Sequence, residues 1–245
     1  MVQLEFWKMS ASGNDFIIID NRDSKVYSSF KDIKEFIVKI CRRHHSVGAD
    51  GLILIEKSTS HDFRWRFFNS DGSEAEMCGN GGRCAARFAY MKGIAREKMA
   101  FETTAGVIRA TLHGTRVKLQ LPKPEDLRLD YPIKLEDKEI FISSVNTGVP
   151  HAILIVDDTE RMPVFELGRT IRYHGAFGDK GTNVDFVEVI DKHHVRMRTY
   201  ERGVEGETYA CGTGAVAVGV ILKEKKLINS PVKIETRGGE ILKVY

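Results

Sequence analysis

The chain has 245 residues, 42% of them hydrophobic and 29% charged, which is typical of a soluble globular protein with one large or two ordinary domains. Its net charge of +3 is too small to predict a nucleic-acid partner, and its longest apolar run, at 215–222, is far shorter than the roughly 20 residues of a membrane span. Four cysteines and no secretion signal indicate reduced thiols, so the sequence predicts a cytoplasmic protein without nucleic-acid or membrane partners.

The predicted elements follow one plan twice. In the first half, apolar β-prone runs lead into a Cys-Gly loop at 78–81, a helix over 83–93 and a closing strand that begins near 102. A further helix is predicted over 30–44, where apolar residues recur at helical spacing. The second half has similar runs, a Cys-Gly loop at 211–214, a helix from 215 to 226 and a strand from 235. The strand predictions before the two loops are 16–20, 51–56 and 64–68, then 152–156, 184–189 and 195–200.

Three pairs of similar segments show that the chain is an internal repeat. GADGLILIE and GTNVDFVEV begin at 48 and 181, CGNG and CGTG at 78 and 211, and ETTAGVIRATL and ETRGGEILKVY at 102 and 235, so each pair is 133 positions apart. Turn residues and two prolines interrupt the pattern at 113–126. We therefore predict two similar domains, 1–115 with Cys78 and 116–245 with Cys211.

Cys78 and Cys211 occupy equivalent positions before a glycine-containing loop and a helix. A helix N-terminus presents unpaired N–H groups that bind an anion such as a carboxylate, and its field is expected to lower the pKa of a nearby thiol. If the two domains face each other across a cleft, a small carboxylate would lie between two thiols. This arrangement favours inversion of a stereocentre by an acid and a base on opposite faces, with a redox dithiol as the alternative.

The remaining candidate motifs favour no other chemistry. Cys41 and Cys84 are predicted to pack in the core. No C-x₂₋₄-C pair exists and the two histidine doublets lack ligand spacing, so no metal is predicted. The P-loop and the G-x-S-x-G elbow are also absent from the sequence.

The run NSDGSEAEMCGNGGR, at 69–83, resembles the signature of the diaminopimelate epimerase family. Five further blocks resemble that family in the same order, so the resemblance covers essentially the whole chain: SASGNDF at 10–16, TGVPH at 147–151, TNVDF at 182–186, YERG at 200–203 and GETYACGTG at 206–214. The 69–83 signature is highly specific, whereas the Cys-Gly blocks alone are shared with proline racemases.

The resemblance implies a cofactor-independent epimerase that interconverts LL- and meso-diaminopimelate in lysine and peptidoglycan biosynthesis. The implied fold is α/β (α+β), with two pseudo-symmetric domains, each a mixed sheet curled around a central helix, and the active site in the interdomain cleft. The implied catalytic residues are the pair Cys78 and Cys211, assisted by His151 and Glu201. The implied substrate-binding residues are Asn14, Asn69, Gly79, Asn80, Asn183, Glu201, Arg202, Gly212 and Thr213.

Three features depart from the family pattern. Val149 stands where the family often has an asparagine, and ERGVEGET contains one residue more than usual, Val204 or Glu205. The chain also stops at ILKVY, before the hairpin that helps family members to dimerise, so a homodimer is less strongly implied. These departures keep a different or broader amino-acid racemase open as an alternative, with a thiol redox or small-ligand-binding protein as a more remote one.

Overall fold

The computed structural model describes residues 3–135 and 138–245. The chain forms two compact units, Met1–Pro122 and Lys123–Tyr245, each with its own sheet and core. The boundary lies after the predicted one at 115/116, because the strand at Arg116–Gln120 forms a hairpin with the strand before it and therefore stays with the first unit.

The first unit contains one mixed, eight-stranded sheet with the order β1-β2-β3-β4-β6-β7-β8, and β5 pairs with β4. The pairs β2/β3 and β4/β6 are parallel and the others are antiparallel. The strands are β1 Trp7–Ala11, β2 Asn14–Asp20, β3 Gly51–Glu56, β4 Phe63–Asn69, β5 Glu74–Ala75, β6 Lys98–Thr103, β7 Gly106–His113 and β8 Arg116–Gln120.

Helices cover both faces of this sheet, which explains why β3 is apolar at nearly every position. Ile53 and Ile55 pack in the core of helix α3 (Gly79–Met91), whereas Leu52 and Leu54 pack in the core of α1 (Lys25–Ser29) and α2 (Ile33–Cys41). Helix α3 contacts strands at both ends of the sheet order, β1 and β8, so the sheet curls around it. Its buried alanines, Ala85, Ala86 and Ala89, keep the helix narrow enough for this.

The second unit repeats the plan with the order β16-β15-β13-β12-β11-β10-β9, and β14 pairs with β13. The pairs β11/β12 and β13/β15 are parallel, in the places of β2/β3 and β4/β6. The strands are β9 Glu125–Leu135, β10 Lys138–Asn146, β11 Pro150–Ile155, β12 Asn183–Asp191, β13 His194–Glu201, β14 Gly206–Thr208, β15 Val232–Thr236 and β16 Ile241–Val244.

Helix α5 (Gly212–Glu224) is the central helix of the second sheet, and α4 (Val164–Arg172), followed by a 3₁₀ turn at Gly175–Phe177, covers the other face. Gly219 allows close packing, since a Cβ there would lie 2.8 Å from a methyl carbon of Val244. In β12, Phe186 faces the α4 core and Val187 the α5 core, so Asp185, on the same face as Val187, points toward the helix that follows Cys211.

The two-domain α/β architecture with pseudo-symmetric mixed sheets is therefore confirmed. The helix predicted over 30–44 is shorter, Ile33–Cys41, because the Asp32 side chain accepts from the N–H of Glu35 and caps its start. The two central helices begin earlier than predicted, at Gly79 and Gly212, since the glycines form the first helical turn rather than a preceding loop. No helix within the described residues has the length and apolar character needed to cross a membrane.

Candidate active site

Cys78 is the N-cap residue of α3 and is half-buried. Its Sγ accepts a hydrogen bond from the N–H of Gly81 at 3.4 Å, so the sulfur lies beside the first-turn amides. Gly81 packs against the core, where an added Cβ would lie 3.3 Å from atoms of both Ile53 and Trp65. The thiol is therefore held at the positive end of a well-packed helix.

Cys211 is the N-cap residue of α5, with the same geometry, and is only 5% exposed. Its Sγ accepts from the N–H of Gly214 at 3.4 Å and lies 3.4 Å from the Oγ1 of Thr213. The sequence correctly predicted the equivalence of the two cysteines.

The predicted lowering of the thiol pKa by the helix is wrong for Cys211. Burial raises the pKa of this thiol well above its usual value, and the negative charges of Glu201 and Asp185 raise it further. Hydrogen bonds with Thr213 and with the N–H of Gly214 act in the opposite direction but do not reverse the shift. Cys211 consequently rests as a protonated thiol near neutral pH.

His151 lies in β11, fully buried, and is linked to Cys211 through Thr213. Its Nδ1 is 2.7 Å from Oδ2 of Asp185, and its Nε2 is 3.0 Å from Oγ1 of Thr213. Sequence reasoning missed Asp185. An acidic residue within the apolar run VDFVEV was the available signal, because a buried carboxylate requires hydrogen-bond partners.

Asn14 and Asn80 contact each other in the first unit. Asn80 Nδ2 donates to Oδ1 of Asn14 at 2.7 Å, and Asn14 Nδ2 donates to Oδ2 of Asp50 at 3.0 Å. Arg83 donates to Oδ1 of Asn80 at 2.7 Å. These two predicted substrate-binding residues therefore lie together at the start of α3, with their amide groups oriented by an acidic and a basic side chain.

Asn69 ends β4 and shapes the turn that follows. Its main-chain N–H donates to the carbonyl of Ser73 at 2.9 Å, and its Nδ2 donates to Oγ of Ser73 at 3.1 Å. Asp71 accepts from the Ser73 hydroxyl at 2.6 Å. The Asn-Ser-Asp-Gly-Ser segment of the signature thus makes a turn that leads the chain back toward Cys78.

Asn183 positions the segment that carries Arg202. Its Nδ2 donates to the carbonyl of Pro150 at 3.0 Å, and its Oδ1 accepts from the main-chain N–H of Arg202 at 2.8 Å. Among residues 3–135 and 138–245, no side chain or carbonyl accepts a hydrogen bond from the Arg202 guanidinium, which leaves this planar donor group available for a carboxylate.

Glu201 ends β13, and its charge acts on the Cys211 thiol. The loop after it is held by Glu205, a candidate for the extra residue of ERGVEGET. Arg172, in α4, donates to Oε1 of Glu205 at 3.0 Å, and the hydroxyl of Tyr173 donates to Oε2 at 2.9 Å. Glu205 adopts a left-handed backbone conformation, φ 55°, that few residues other than glycine favour. Glu205 thus anchors the loop after Glu201 to the C-terminal end of α4.

Glu205→Gln should destabilise the second unit, because it leaves the nearly buried Arg172 with a neutral partner. We expect a loss of about 1–2 kcal/mol in the free energy of unfolding, since Glu205 is partly exposed. Thermal unfolding measures this loss. Glu160→Gln is the control: Glu160 forms an exposed ion pair with Arg237, so this substitution should change the free energy of unfolding little.

The loss of stability in Glu205→Gln should depend on pH. Burial raises the pKa of Glu205, but hydrogen bonds from Gly203, Tyr173 and Arg172 outweigh burial, and the net pKa is below the ordinary value of 4.5. The stabilisation is therefore present above that value and is lost as the pH falls through the lowered pKa. The difference in Tm between wild type and Glu205→Gln should shrink in acid; a constant difference contradicts the ion-pair account.

The other two cysteines, Cys41 and Cys84, lie in hydrophobic cores, as predicted. Burial raises the pKa of the Cys41 thiol to about 11 and that of Cys84 to about 12. Neither is a nucleophile or base near neutral pH.

Comparison with known proteins gives one consistent result. The family model described as diaminopimelate epimerase matches residues 6–124 and 143–243. The chain is 49% identical over 253 residues to a diaminopimelate epimerase of Aquifex aeolicus, covering 98% of this chain and 89% of the relative. It is 51% identical over 247 residues to one from a Hydrogenobaculum species, covering 97% and 89%.

Solved structures share the fold at much lower sequence identity. A probable proline racemase from Agrobacterium radiobacter superposes with a TM-score of 0.74 at 14% identity, covering 98% of this chain and 84% of the other. A hydroxyproline epimerase from Agrobacterium vitis superposes with a TM-score of 0.71 at 15% identity, covering 97% and 82%. These likenesses concern the fold alone.

Proposed function

The chain belongs to the diaminopimelate epimerase family, and from this premise we propose that it interconverts LL- and meso-2,6-diaminopimelate with Cys78 and Cys211 as the acid–base pair. The paired N-cap position of the two thiols is the observation that carries the assignment. In each direction one thiolate removes the proton from the α-carbon, and the opposite thiol returns a proton to the other face of the carbanion.

The first turns of α3 and α5 supply the groups that bind the reacting carboxylate. Gly79 and Asn80 begin α3, and Gly212 and Thr213 begin α5, so their main-chain N–H groups belong to the first helical turn, which faces outward along the helix axis. An anion at these positions is stabilised by the amides and by the helix dipoles. Negative charge that spreads onto the carboxylate during proton removal is stabilised in the same way, which lowers the barrier.

The remaining side chains are assigned to the polar ends of the substrate. The guanidinium of Arg202 can form a bidentate pair with a carboxylate, and Glu201 can accept from an ammonium group. Asn14, Asn69 and Asn183 each keep acceptor or donor capacity beyond the hydrogen bonds described above, since a carbonyl oxygen accepts twice and an amide nitrogen donates twice. His151 assists through its contact with Thr213.

The reaction belongs to lysine and peptidoglycan biosynthesis and needs no cofactor, because both proton-transfer groups are side chains. It requires free thiols, which the reducing cytoplasm maintains, so we assign the protein to that compartment. Assembly into a homodimer stays a prediction, which light scattering during size-exclusion chromatography tests.

The function is tested by a panel of amino acids incubated in D₂O without added cofactor. Deuterium should enter the α-carbon of diaminopimelate, with inversion, at a rate at least about tenfold above that of lysine or alanine, because recognition of the distal amino-carboxylate adds charge-assisted contacts. Equal rates for all three favour the broader racemase, to which Val149 points. No exchange into any amino acid favours a redox or binding protein.

A further inference from the structure

Arg172, the last residue of α4, is a buried cation between two segments of the second unit. It is only 8% exposed, and its guanidinium donates to both segments. Nη1 donates to the main-chain carbonyl of Lys180 at 2.9 Å, and Nη2 donates to Oε1 of Glu205 at 3.0 Å. Because a buried charge is stable only when it is paired and hydrogen-bonded, both segments are held where their acceptors meet this guanidinium.

The first segment, which contains Lys180, wraps closely around Arg172. Gly181 has a φ of 62°, and a Cβ at this position would overlap both Nη1 and the main-chain oxygen of Arg172. The N–H of Thr182 donates to that oxygen at 3.4 Å, and Thr182 is fully buried. The next residue is Asn183, the first of β12, so its position is fixed by the end of α4.

The second segment is the loop that carries Arg202. The main-chain N–H of Arg202 donates to Oδ1 of Asn183 at 2.8 Å, so this loop contacts the first segment directly. Three residues later, the carboxylate of Glu205 binds Arg172, and the N–H of Glu205 closes the turn on the carbonyl of Glu201 at 2.8 Å. The turn around Arg202 is therefore joined to Arg172 twice, through Glu205 and through Asn183.

Arg172 differs from the other groups that bind Glu205. The hydroxyl of Tyr173 and the N–H of Gly203 donate to the same carboxylate, at 2.9 and 3.0 Å, but both are neutral. Arg172 carries a charge, is buried and also donates to Lys180. Its loss should therefore loosen both segments, whereas the loss of Tyr173 would remove one donor from one of them.

We propose that Arg172 is a positioning residue for Arg202, which it holds in the geometry for binding a carboxylate by joining the two segments. The inference rests on the proposed function for its effect on turnover, since that function assigns Arg202 to the substrate. A guanidinium binds a carboxylate through two parallel hydrogen bonds, so a small displacement of the loop weakens the contact.

Arg172→Lys is the first test. It preserves the charge but replaces a planar fork, which reaches both segments, by a single ammonium group. We expect kcat/KM for LL-diaminopimelate to fall about threefold to tenfold, the scale of one weakened hydrogen bond.

Arg196→Lys is the matched control. Arg196 also pairs with a glutamate of the second unit, Glu188, at 3.1 Å, and both side chains are partly buried. The two residues lie five positions from Glu201 and Asn183 along β13 and β12, which is about 16 Å from the candidate site. The control should keep the wild-type kcat/KM even if its Tm falls as much as that of Arg172→Lys.

The double variant separates positioning from a general loss of stability. If Arg172 acts through the guanidinium of Arg202, then Arg172→Lys should change kcat/KM by less than about twofold when residue 202 is already lysine. An effect unrelated to Arg202 gives the same fold-change in both backgrounds, and that result overturns the proposal. So does an unchanged kcat/KM in a folded Arg172→Lys of an otherwise active enzyme.

Trypsin gives a second measurement that needs no substrate. It cleaves after arginine, and the Arg202–Gly203 bond becomes accessible when the loop opens. Arg172→Lys should raise the cleavage rate at this bond by about tenfold, the scale of a lost hydrogen bond between charged groups. Mass spectrometry measures this rate against cleavage after Arg161, whose side chain is 87% exposed. Equal rates in variant and wild type contradict the anchoring role.

Glu205→Gln tests the same link from its other end if Arg172→Lys does not fold, and it should change both measurements in the same direction. The two measurements also separate this inference from the proposed function. If the wild type exchanges no α-hydrogen in any amino acid, the function fails, and the cleavage rates still decide whether Arg172 holds the loop. If the wild type is an active epimerase and Arg172→Lys equals it in kcat/KM, the inference fails and the function stands.

Discussion

Cys78→Ala is expected to abolish inversion and to retain slow exchange of the α-hydrogen in only one stereoisomer of the substrate. In the two-base scheme each thiol serves one face of the α-carbon, so Cys211 alone can still remove and return a proton on its own side. Cys211→Ala should show the same retention of configuration with the opposite isomer preference. Losing one positioned acid–base group should slow exchange by about 10²–10⁴-fold.

The measurement is incubation of each variant with LL- and with meso-diaminopimelate in D₂O, followed by analysis of both configuration and isotope. Cys84→Ala is the matched control, since Cys84 lies in α3, the helix that Cys78 caps, but packs in the core. Its ratio of exchange between the two isomers should equal that of the wild type. If both active-site variants exchange the same isomer, or if either still inverts at a near wild-type rate, the assignment of one cysteine to each face is wrong.

The protonated state of Cys211 near neutral pH adds a pH dependence to this prediction. Because burial, Glu201 and Asp185 all raise the pKa of that thiol, Cys211 is ready to donate a proton before it can accept one. The exchange that Cys211 catalyses in Cys78→Ala should therefore rise with pH, and more steeply than the exchange that Cys78 catalyses in Cys211→Ala. The half-buried Cys78 has a different environment, at the start of α3 beside the Asn14–Asn80 amides.

The sequence allowed the repeat, the two domains and the equivalence of Cys78 and Cys211 to be predicted, because these depend on spacing along the chain. The contact between His151 and Asp185 could not be predicted, because it depends on strand register. His151 in β11 pairs with Asn183 in β12, which places Asp185 two residues further along the same face and opposite Thr199 of β13. Only the assembled sheet brings these residues to the start of α5.

The effect of burial on the pKa of Cys211 also could not be predicted from the sequence. A cysteine at a helix start is expected to ionise easily, but the environment of Cys211 has the opposite net effect. The contact that holds the loop after Glu201 could not be predicted either, since it joins Glu205 to Arg172, 33 residues away in the chain. The family resemblance predicted an extra residue there, but it could not show that Glu205 forms an ion pair.

Arg202→Lys should lower kcat/KM by about ten- to hundredfold, the second largest effect that we expect. The planar guanidinium can bind a substrate carboxylate through two parallel hydrogen bonds, which an ammonium group does not reproduce, and losing one such contact costs about 1.5–3 kcal/mol. The substitution preserves the charge and the main-chain N–H that bonds to Asn183, so the loop should keep its position. The change in kcat/KM therefore reports the contribution of the planar guanidinium group of Arg202.

Steady-state kinetics with LL-diaminopimelate, together with thermal unfolding, measure this effect. Arg161→Lys is the control, because Arg161 is highly exposed in an ion pair with Asp158 and should change neither quantity. A rise in KM with unchanged kcat would mean that Arg202 binds substrate and transition state equally, whereas a fall in kcat would mean that its contact strengthens as the α-carbon loses its proton. Unchanged kcat and KM in a stably folded Arg202→Lys would remove Arg202 from the site and leave the distal carboxylate to the asparagines.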